Sequence, residues 1–320
     1  MNKLRLEMNS SGRKGESFFF MVDFEMEYPL FYRLDSLPAG IHVDMPLFSN
    51  VAPPEEKPGL FELESYPVPF DFYTMAFDKV LSDIRQGNSY LVNLTFATDI
   101  DINLSLDKIF CASGAKYRLL VDDSFVVFSP EIFVRIEGNK IFSNPMKGTI
   151  DASVTDAERT ILEDEKELSE HNTIVDLIRN DLSIISNNVA VTRYRYIDTI
   201  KTSERNLLQV SSEITGDLAE GWQGRLGDIL VPLLPAGSVS GAPKQETLRI
   251  IRESEAGRRG YYTGVFGIFD GISFDSAVMI RFIEQKEGKY VYRSGGGITY
   301  LSDPSKEYNE LIAKVYVPFG

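Results

Sequence analysis

The chain holds one cysteine, Cys111, and two histidines among 320 residues. A lone thiol cannot close an internal disulfide, so we expect a reduced, cytoplasmic protein. No apolar run approaches the ~20 residues that a membrane-spanning helix needs. The longest early run, Phe18 to Val22, is too short for a signal-peptide core and has the wrong flanks, so no membrane role is expected. Basic residues are also in deficit. Lys and Arg number 33 against 47 Asp and Glu, a net charge of −14. Without a Lys/Arg cluster there is nothing to bind a phosphate backbone, which excludes nucleic acid as a partner. A small anionic substrate is not excluded, because a local cation overrides the global sign. Internal repeats, low-complexity tracts and a long central linker are absent too, which predicts one α+β domain over 1–320. In that reading 1–70 is a short amino-terminal portion of the sheet and 71–320 is the core.

Hydrophobic residues at 43% and charged residues at 25% are ordinary for a globular protein, and 21 Phe and 15 Tyr can fill a large core. Residues 17–35 have the aromatic and β-branched content of strands. "VAPPEEKPG" reads as a loop. Residues 71–87 have helical spacing and a terminal glycine. "SYLVNLTFATDI" reads as a strand, and residues 117–143 as an antiparallel meander with tight turns at "DDS" and "EGNK". Helical stretches are expected at 155–182, after "GAPK", and over "SKEYNELIAKVYV" (305–317). Strands in runs with inserted helices, and no regular βα alternation, indicate an α+β fold with mainly antiparallel sheet.

Two helical segments carry paired carboxylates. In "KELSEH", Glu167 and Glu170 share a face and His171 follows. In "KEYNEL", Glu307 and Glu310 share a face, with Lys314 four residues on. One such pair is commonplace on a solvated helix. Two pairs on adjacent surfaces would repel unless a cation lay between them, and oxygen-only ligands point to Mg²⁺. His171 fits a structural histidine better than a ligand.

Gly295, Gly296 and Gly297 end a strand, where backbone N–H groups could approach an anion. "PAGSVSGAPK" forms a second tight turn with Ser238 and Ser240 as hydroxyl donors. Neither fits a phosphate-loop pattern, and both also read as structural turns. Arg281 interrupts the apolar strand "AVMIRFI" and must be paired or face a ligand; its fork suits a carboxylate. Lys147, in "NPMKGTI", is either a solvated loop lysine or a nucleophile.

Taken in order, "SPE" (129–131), "PMKGT" (145–149), "KELSEHNTIVDLIRNDL" (166–182), "GSVSGAPK" (237–244), "RGYYTGVFG" (259–267), "VMIRF" (278–282), "SGGGI" (294–298) and "DPSKEYNEL" (303–311) resemble the chorismate-utilising enzymes. These include component I of anthranilate synthase and of aminodeoxychorismate synthase, with isochorismate and salicylate synthases as relatives. The resemblance runs from about residue 70 to the end. It implies the anthranilate synthase component I-like fold: two antiparallel sheets in a sandwich, helices packed outside, and an active site in the central cleft. It implies chorismate as substrate and Mg²⁺ as cofactor. Glu170 and Glu310 then correspond to direct metal ligands, and Glu167 and Glu307 to their supporting shell. Arg281, Tyr262, the Gly295–Gly297 amides, Ser240, Thr149 and Lys314 correspond to substrate binders, and Glu131 to the acid–base residue.

Lys147 marks the branch. Anthranilate synthases typically carry Ala there and aminodeoxychorismate synthases Lys, whose amine is thought to add at ring C2 before ammonia enters at C4. The resemblance therefore implies aminodeoxychorismate synthase component I, on the route to 4-aminobenzoate and folate. A free lysine at pH 7 is neutral in only about one molecule in 2,500, so a working nucleophile needs a lowered pKa, say ~8. Burial and the metal are the expected means. Leu91 stands where the isochorismate and salicylate branch has a lysine that activates water, which disfavours water as nucleophile. Gln209 replaces a histidine common in relatives, and Ser183 replaces the glycine of "RNDLG". Cys111 lacks the setting of a glutaminase nucleophile, so ammonia is expected from a separate glutamine amidotransferase subunit. The rival readings are anthranilate synthase component I and a non-catalytic chorismate-binding paralogue.

Overall fold

Phe18–Val22 is buried at all five positions, and the period of a strand explains how. Phe18, Phe20 and Val22 point to one face and pack with Leu4, Met8 and Trp222. Phe19 and Met21 point to the other and pack with Val43, Leu119 and Val127. A strand covered on both faces needs no polar alternation. The computed structural model, which describes residues 1–52, 61–201 and 206–317, places this strand inside one of two nine-stranded sheets.

The first sheet runs in spatial order Met146–Asp151, Asn206–Asp217, Lys140–Ser143, Ile132–Glu137, Phe274–Val278, Val265–Phe269, Phe18–Val22, Leu30–Arg33. Asn187–Lys201 also pairs with Asn206–Asp217. The second runs Gly241–Ala242, Leu91–Ile102, Lys289–Ile298, Phe282–Lys286, Phe125–Ser129, Tyr117–Val121, Ile41–Met45, Phe48–Ser49, with Leu63–Tyr66 added on Leu91–Ile102. Pairings among the described residues are antiparallel. Side chains from both sheets form the core between them, including Phe19, Val43, Leu119, Phe266, Ala277 and Phe282. Helices cover the outer faces. Phe70–Arg85, Lys244–Ser254 and Pro304–Ala313 pack on one end of the second sheet through Phe77, Val80, Ile250 and Leu311. Glu165–Ile185 packs on the first through Ile174, Ile178 and Leu182. This is the expected α+β sandwich.

Several local expectations need correcting. Residues 117–143 are not one meander: Tyr117–Val121 and Phe125–Ser129 pair in the second sheet, Ile132–Glu137 and Lys140–Ser143 in the first. The chain crosses between sheets at Pro130 and Glu131, and that crossing carries Glu131 to the mouth between them. The helix expected over 155–182 is two, Ala157–Glu163 and Glu165–Ile185. The break is at Asp164, whose carboxylate accepts a hydrogen bond from the Glu167 amide at 2.8 Å as an N-cap. The last helix stops at Ala313, short of 317. Residues 1–70, expected as a short amino-terminal portion of the sheet, supply strands to both sheets. They also supply a helix, Asn2–Lys14, that no apolar period announced, because its buried face includes Asn9, Ser11 and Gly12. The expected loop "VAPPEEKPG" lies largely outside the described residues.

Candidate active site

The strand Met146–Asp151 loses register between Lys147 and Thr149, where Gly148 adopts a φ of 79°. A Cβ there would be strained and would meet Glu167 Oε2 at 3.1 Å. This irregularity turns Lys147 into a cleft of about 500 Å³. Glu131, Thr149, Glu167, Glu170, Tyr262, Arg281, Gly295, Gly296, Glu310 and Lys314 line the same cleft. Residues spread over 184 positions of sequence thus converge on one space. Glu307 and Gly297 lie just behind its wall, and Ser240 stands apart. The Ser240 side chain is fully buried and its hydroxyl donates to the Ala236 carbonyl at 2.9 Å, so it offers nothing to a ligand. Ser238, two residues earlier, lines the cleft and donates to Glu131 Oε1.

The glycines are not an open anion loop. Gly295, Gly296 and Gly297 are strand residues registered with Thr95, Leu94 and Asn93, and what they supply is space. A Cβ on Gly297 would lie 2.9 Å from Leu91 Cδ1, 3.0 Å from Glu170 Oε2 and 3.2 Å from Lys147 Nζ. Those three side chains close on the bare backbone. Leu91 is 1% exposed, an apolar wall beside the lysine.

Lys147 Nζ lies 3.4 Å from Glu170 Oε2. Burial pulls its pKa down, but the charges of Glu170, Glu310, Glu167 and Glu131 outweigh burial and hold the ammonium above its ordinary value. The lowered pKa expected from burial is therefore not what the surrounding side chains alone produce. Burial raises the Glu131 carboxyl, against the hydrogen bond from Ser238 and the charges of Lys147 and Arg281. Burial and the charge of Glu170 push Glu167 up to about 7. Lys314, 2.6 Å from Glu310 Oε1, holds Glu310 down at about 2. Lys314 also donates to the Gly295 carbonyl at 2.8 Å.

Arg281 sits between strands at a φ of 55°. Its Nε donates to the Tyr316 hydroxyl at 3.3 Å, and among the described residues no carboxylate pairs with it. An uncompensated guanidinium facing a cleft is a place for an anion. His171 is structural: it is buried, 2.6 Å from Ser212 Oγ, and burial lowers its pKa to about 4. Lys166, which no sequence motif singles out, belongs to the site as well. Its Nζ lies 2.7 Å from Glu307 Oε1, 3.3 Å from Glu170 Oε1 and 3.9 Å from Glu310 Oε2. Only its i, i+4 spacing from Glu170 hinted at a role.

The donor set bears on the metal expectation. Among the described residues no three His, Cys, Asp or Glu side chains form a ready metal shell. Mg²⁺, however, takes one or two carboxylates and completes its shell with water and substrate oxygen. Carboxylates from two helices turn here on one ammonium, which lies 3.3 Å from Glu170 Oε1 and 2.7 Å from Glu307 Oε1, both on buried residues. An oxygen-only set already gathered round a cation fits Mg²⁺.

Residues 39–319 match the family described as chorismate binding enzyme. The chain belongs to that family. This chorismate binding enzyme is 50% identical over 313 residues to an uncharacterized PabA-like protein of Haemophilus influenzae, covering 98% of this chain and 95% of that one. It is 30% identical over 268 residues to aminodeoxychorismate synthase component 1 of Bacillus subtilis, covering 79% and 56%. Its fold is similar to that of anthranilate synthase component I from Streptococcus pneumoniae, with a TM-score of 0.67 and 29% identity over 79% of this chain and 58% of that one. No helix among the described residues is long and apolar enough to cross a membrane.

Proposed function

We propose that this chorismate binding enzyme aminates chorismate at C4, as an aminodeoxychorismate synthase component I. The observation that carries the reading is Lys147, an amine turned into the cleft 3.4 Å from Glu170, with Glu131, a carboxyl of raised pKa, on the same cleft. In its neutral form the Lys147 amine adds to ring C2. The two ring double bonds shift one place each, the C4–O bond breaks, and the hydroxyl leaves as water with a proton from Glu131. The secondary ammonium formed at C2 keeps its proton, which makes lysine a leaving group, and the ammonium later formed at C4 restores the proton that Glu131 gave. Ammonia then adds at C4, the double bonds shift back, and the C2–N bond breaks, returning the electron pair to lysine. Overall, chorismate and ammonia give aminodeoxychorismate and water.

Arg281, Lys314 and Tyr262 hold the substrate's carboxylates, and Thr149 lines the way in. Leu91 keeps a basic group and its water away from C2. Glu170 and Glu310, backed by Glu167 and Glu307, would hold Mg²⁺, which when bound would supply positive charge for a substrate carboxylate and against the anions that keep Lys147 protonated. The B. subtilis relative is a "component 1", which supports a separate glutamine amidotransferase as the ammonia source.

The test is to mix the protein with chorismate, Mg²⁺ and ammonium and follow products by mass. A product that keeps the pyruvyl ether supports the proposal, as does a chorismate-derived adduct on the Lys147 peptide when ammonium is withheld. Release of pyruvate with formation of anthranilate would assign the other amination, and no consumption of chorismate would leave a binding protein.

A further inference from the structure

The ammonium of Lys166 occupies the centre of the acidic cluster. It reaches Glu307 and Glu310 on one helix and Glu170, one turn along its own. The Glu170 and Glu307 side chains it faces are 5% and 2% exposed. Buried carboxylates need a counter-charge, or they repel and take up protons. Ordinary ion pairs join one cation to one anion; this one is shared by three, from two helices that the chain joins only through the sheets. The three contacts are unequal: Nζ lies 2.7 Å from Glu307 Oε1, 3.3 Å from Glu170 Oε1 and 3.9 Å from Glu310 Oε2. An ammonium offers three donors on a flexible stem, and here one nitrogen balances charge without holding all three carboxylates at hydrogen-bond distance. A small divalent ion placed between the same oxygens would bind them directly.

We infer that Lys166 is a tethered counter-cation that holds the acidic cluster together without metal and must withdraw when Mg²⁺ enters. The inference rests on the proposed metal site and goes beyond it, because it makes metal binding an exchange of one cation for another. Two consequences follow. Metal affinity is weakened by competition from an ammonium that never diffuses away. The metal-free protein, in turn, is protected from the repulsion of its own carboxylates. Lys166 is 24% exposed at its side chain, so a solvent-side path is open to it.

The experiment titrates Mg²⁺ by calorimetry into wild type, Lys166→Met and, as a control for charge alone, Lys306→Met on the exposed face beside Glu307. Thermal melts are run with EDTA and with Mg²⁺. We expect Lys166→Met to bind Mg²⁺ at least tenfold more tightly, and Lys306→Met to stay within twofold of wild type. We also expect the Lys166→Met melting temperature to fall in EDTA and to recover in Mg²⁺ by a larger shift than wild type shows. Equal Mg²⁺ affinity in wild type and Lys166→Met would overturn the exchange while leaving the metal site standing. Weaker binding in the variant would also overturn it, by making Lys166 a supporting group. Absence of binding in both proteins would remove the metal reading and the inference with it. Should Lys166→Met fail to fold, crystals of wild type grown in EDTA and soaked in Mn²⁺ decide the matter. The anomalous peak should lie between Glu170 and Glu310 with Lys166 Nζ displaced from the cluster. A peak there with the ammonium unmoved, or no peak, is the contrary result.

Discussion

Ser238 donates its hydroxyl hydrogen to Glu131 Oε1, joining the turn before Lys244–Ser254 to the crossing between the two sheets. A hydrogen bond to a carboxylate favours its ionised form, so this one works against the burial that raises Glu131. If Glu131 protonates the leaving hydroxyl, activity falls as pH rises through its pKa. Ser238→Ala removes the bond and moves that limb of the kcat/KM profile to higher pH. A profile unchanged in shape would separate Glu131 from the proton transfer.

Lys147 yields a direct prediction. Lys147→Ala deletes the amine but leaves Arg281 and Lys314, which line the same cleft. Amination at C4 should fall at least ~10³-fold, the scale of losing a covalent step. Chorismate should still bind within about tenfold, measured by equilibrium dialysis. Normal turnover would show that the amine never bonds to the ring.

These groups differ in how far sequence alone exposes them. Paired glutamates at i, i+3 state a helix face, and Arg281 inside an apolar run demands a partner, so both are visible as local oddities, although the run is two strands in different sheets with Arg281 between them. The sandwich was readable in outline because strand period and turn residues are local signals. What no local pattern states is which strand pairs with which, so the change of sheet at Pro130 stayed hidden and with it the route that delivers Glu131. Ser238 and Ser240 look equivalent in sequence. Only the short helix Gly237–Ser240 decides that one faces the cleft and the other its own backbone. Lys166 is not legible in the sequence because its partners Glu307 and Glu310 lie about 140 residues away, and long-range charge pairing leaves no periodic trace.

Adjacent glycines should respond differently to one methyl group. On Gly297 a Cβ meets Leu91, Glu170 and Lys147 at 2.9–3.2 Å; on Gly296 it finds Glu307, Glu310 and Lys314 at 3.6–3.8 Å. The first set must shift, whereas the second is ordinary contact. A displacement near 1 Å at reacting groups costs on the order of 10²-fold. Gly297→Ala should lose about that much kcat with its melting temperature nearly unchanged, and Gly296→Ala should stay within about fivefold. Equal effects would mean that the crowding round Gly297 is relieved elsewhere.

Behind the cleft, Arg259 and Glu255 form an ion pair at 2.6 Å with side chains 1% and 4% exposed. The guanidinium also donates to the carbonyls of Val239 at 2.7 Å and Asn93 at 2.6 Å. It thereby ties the turn that carries Ser238 to the strand Leu91–Ile102. Removing one member of a buried pair strands the other charge, at about 3–5 kcal/mol. Arg259→Met should lose about that much in urea unfolding. Arg259→Met combined with Glu255→Gln should recover part of it, because no ion is then left alone. A double variant no more stable than the single would place the cost in the lost carbonyl bonds.

Tyr117 and Asp275 make the corresponding link between the sheets. The Tyr117 hydroxyl donates to Asp275 Oδ1 at 3.1 Å in the buried core. Burial raises the carboxyl from 3.8 to about 6, against the Tyr117 hydrogen bond and the charges of Lys116 and Arg135. With the folded pKa above the unfolded one, the folded state binds the extra proton between those values. The stability Asp275 contributes is therefore complete below about pH 4 and is lost as pH rises through about 6. A shift of two units corresponds to about 3 kcal/mol. Asp275→Asn can still accept from Tyr117 but cannot ionise. The difference in unfolding free energy, variant minus wild type, should rise by up to about 3 kcal/mol between pH 4 and 7, measured by urea melts at each pH. A difference that stays flat across this range would mean that Asp275 keeps its ordinary pKa in the fold, and that the hydroxyl bond stabilises its anion as well as water does.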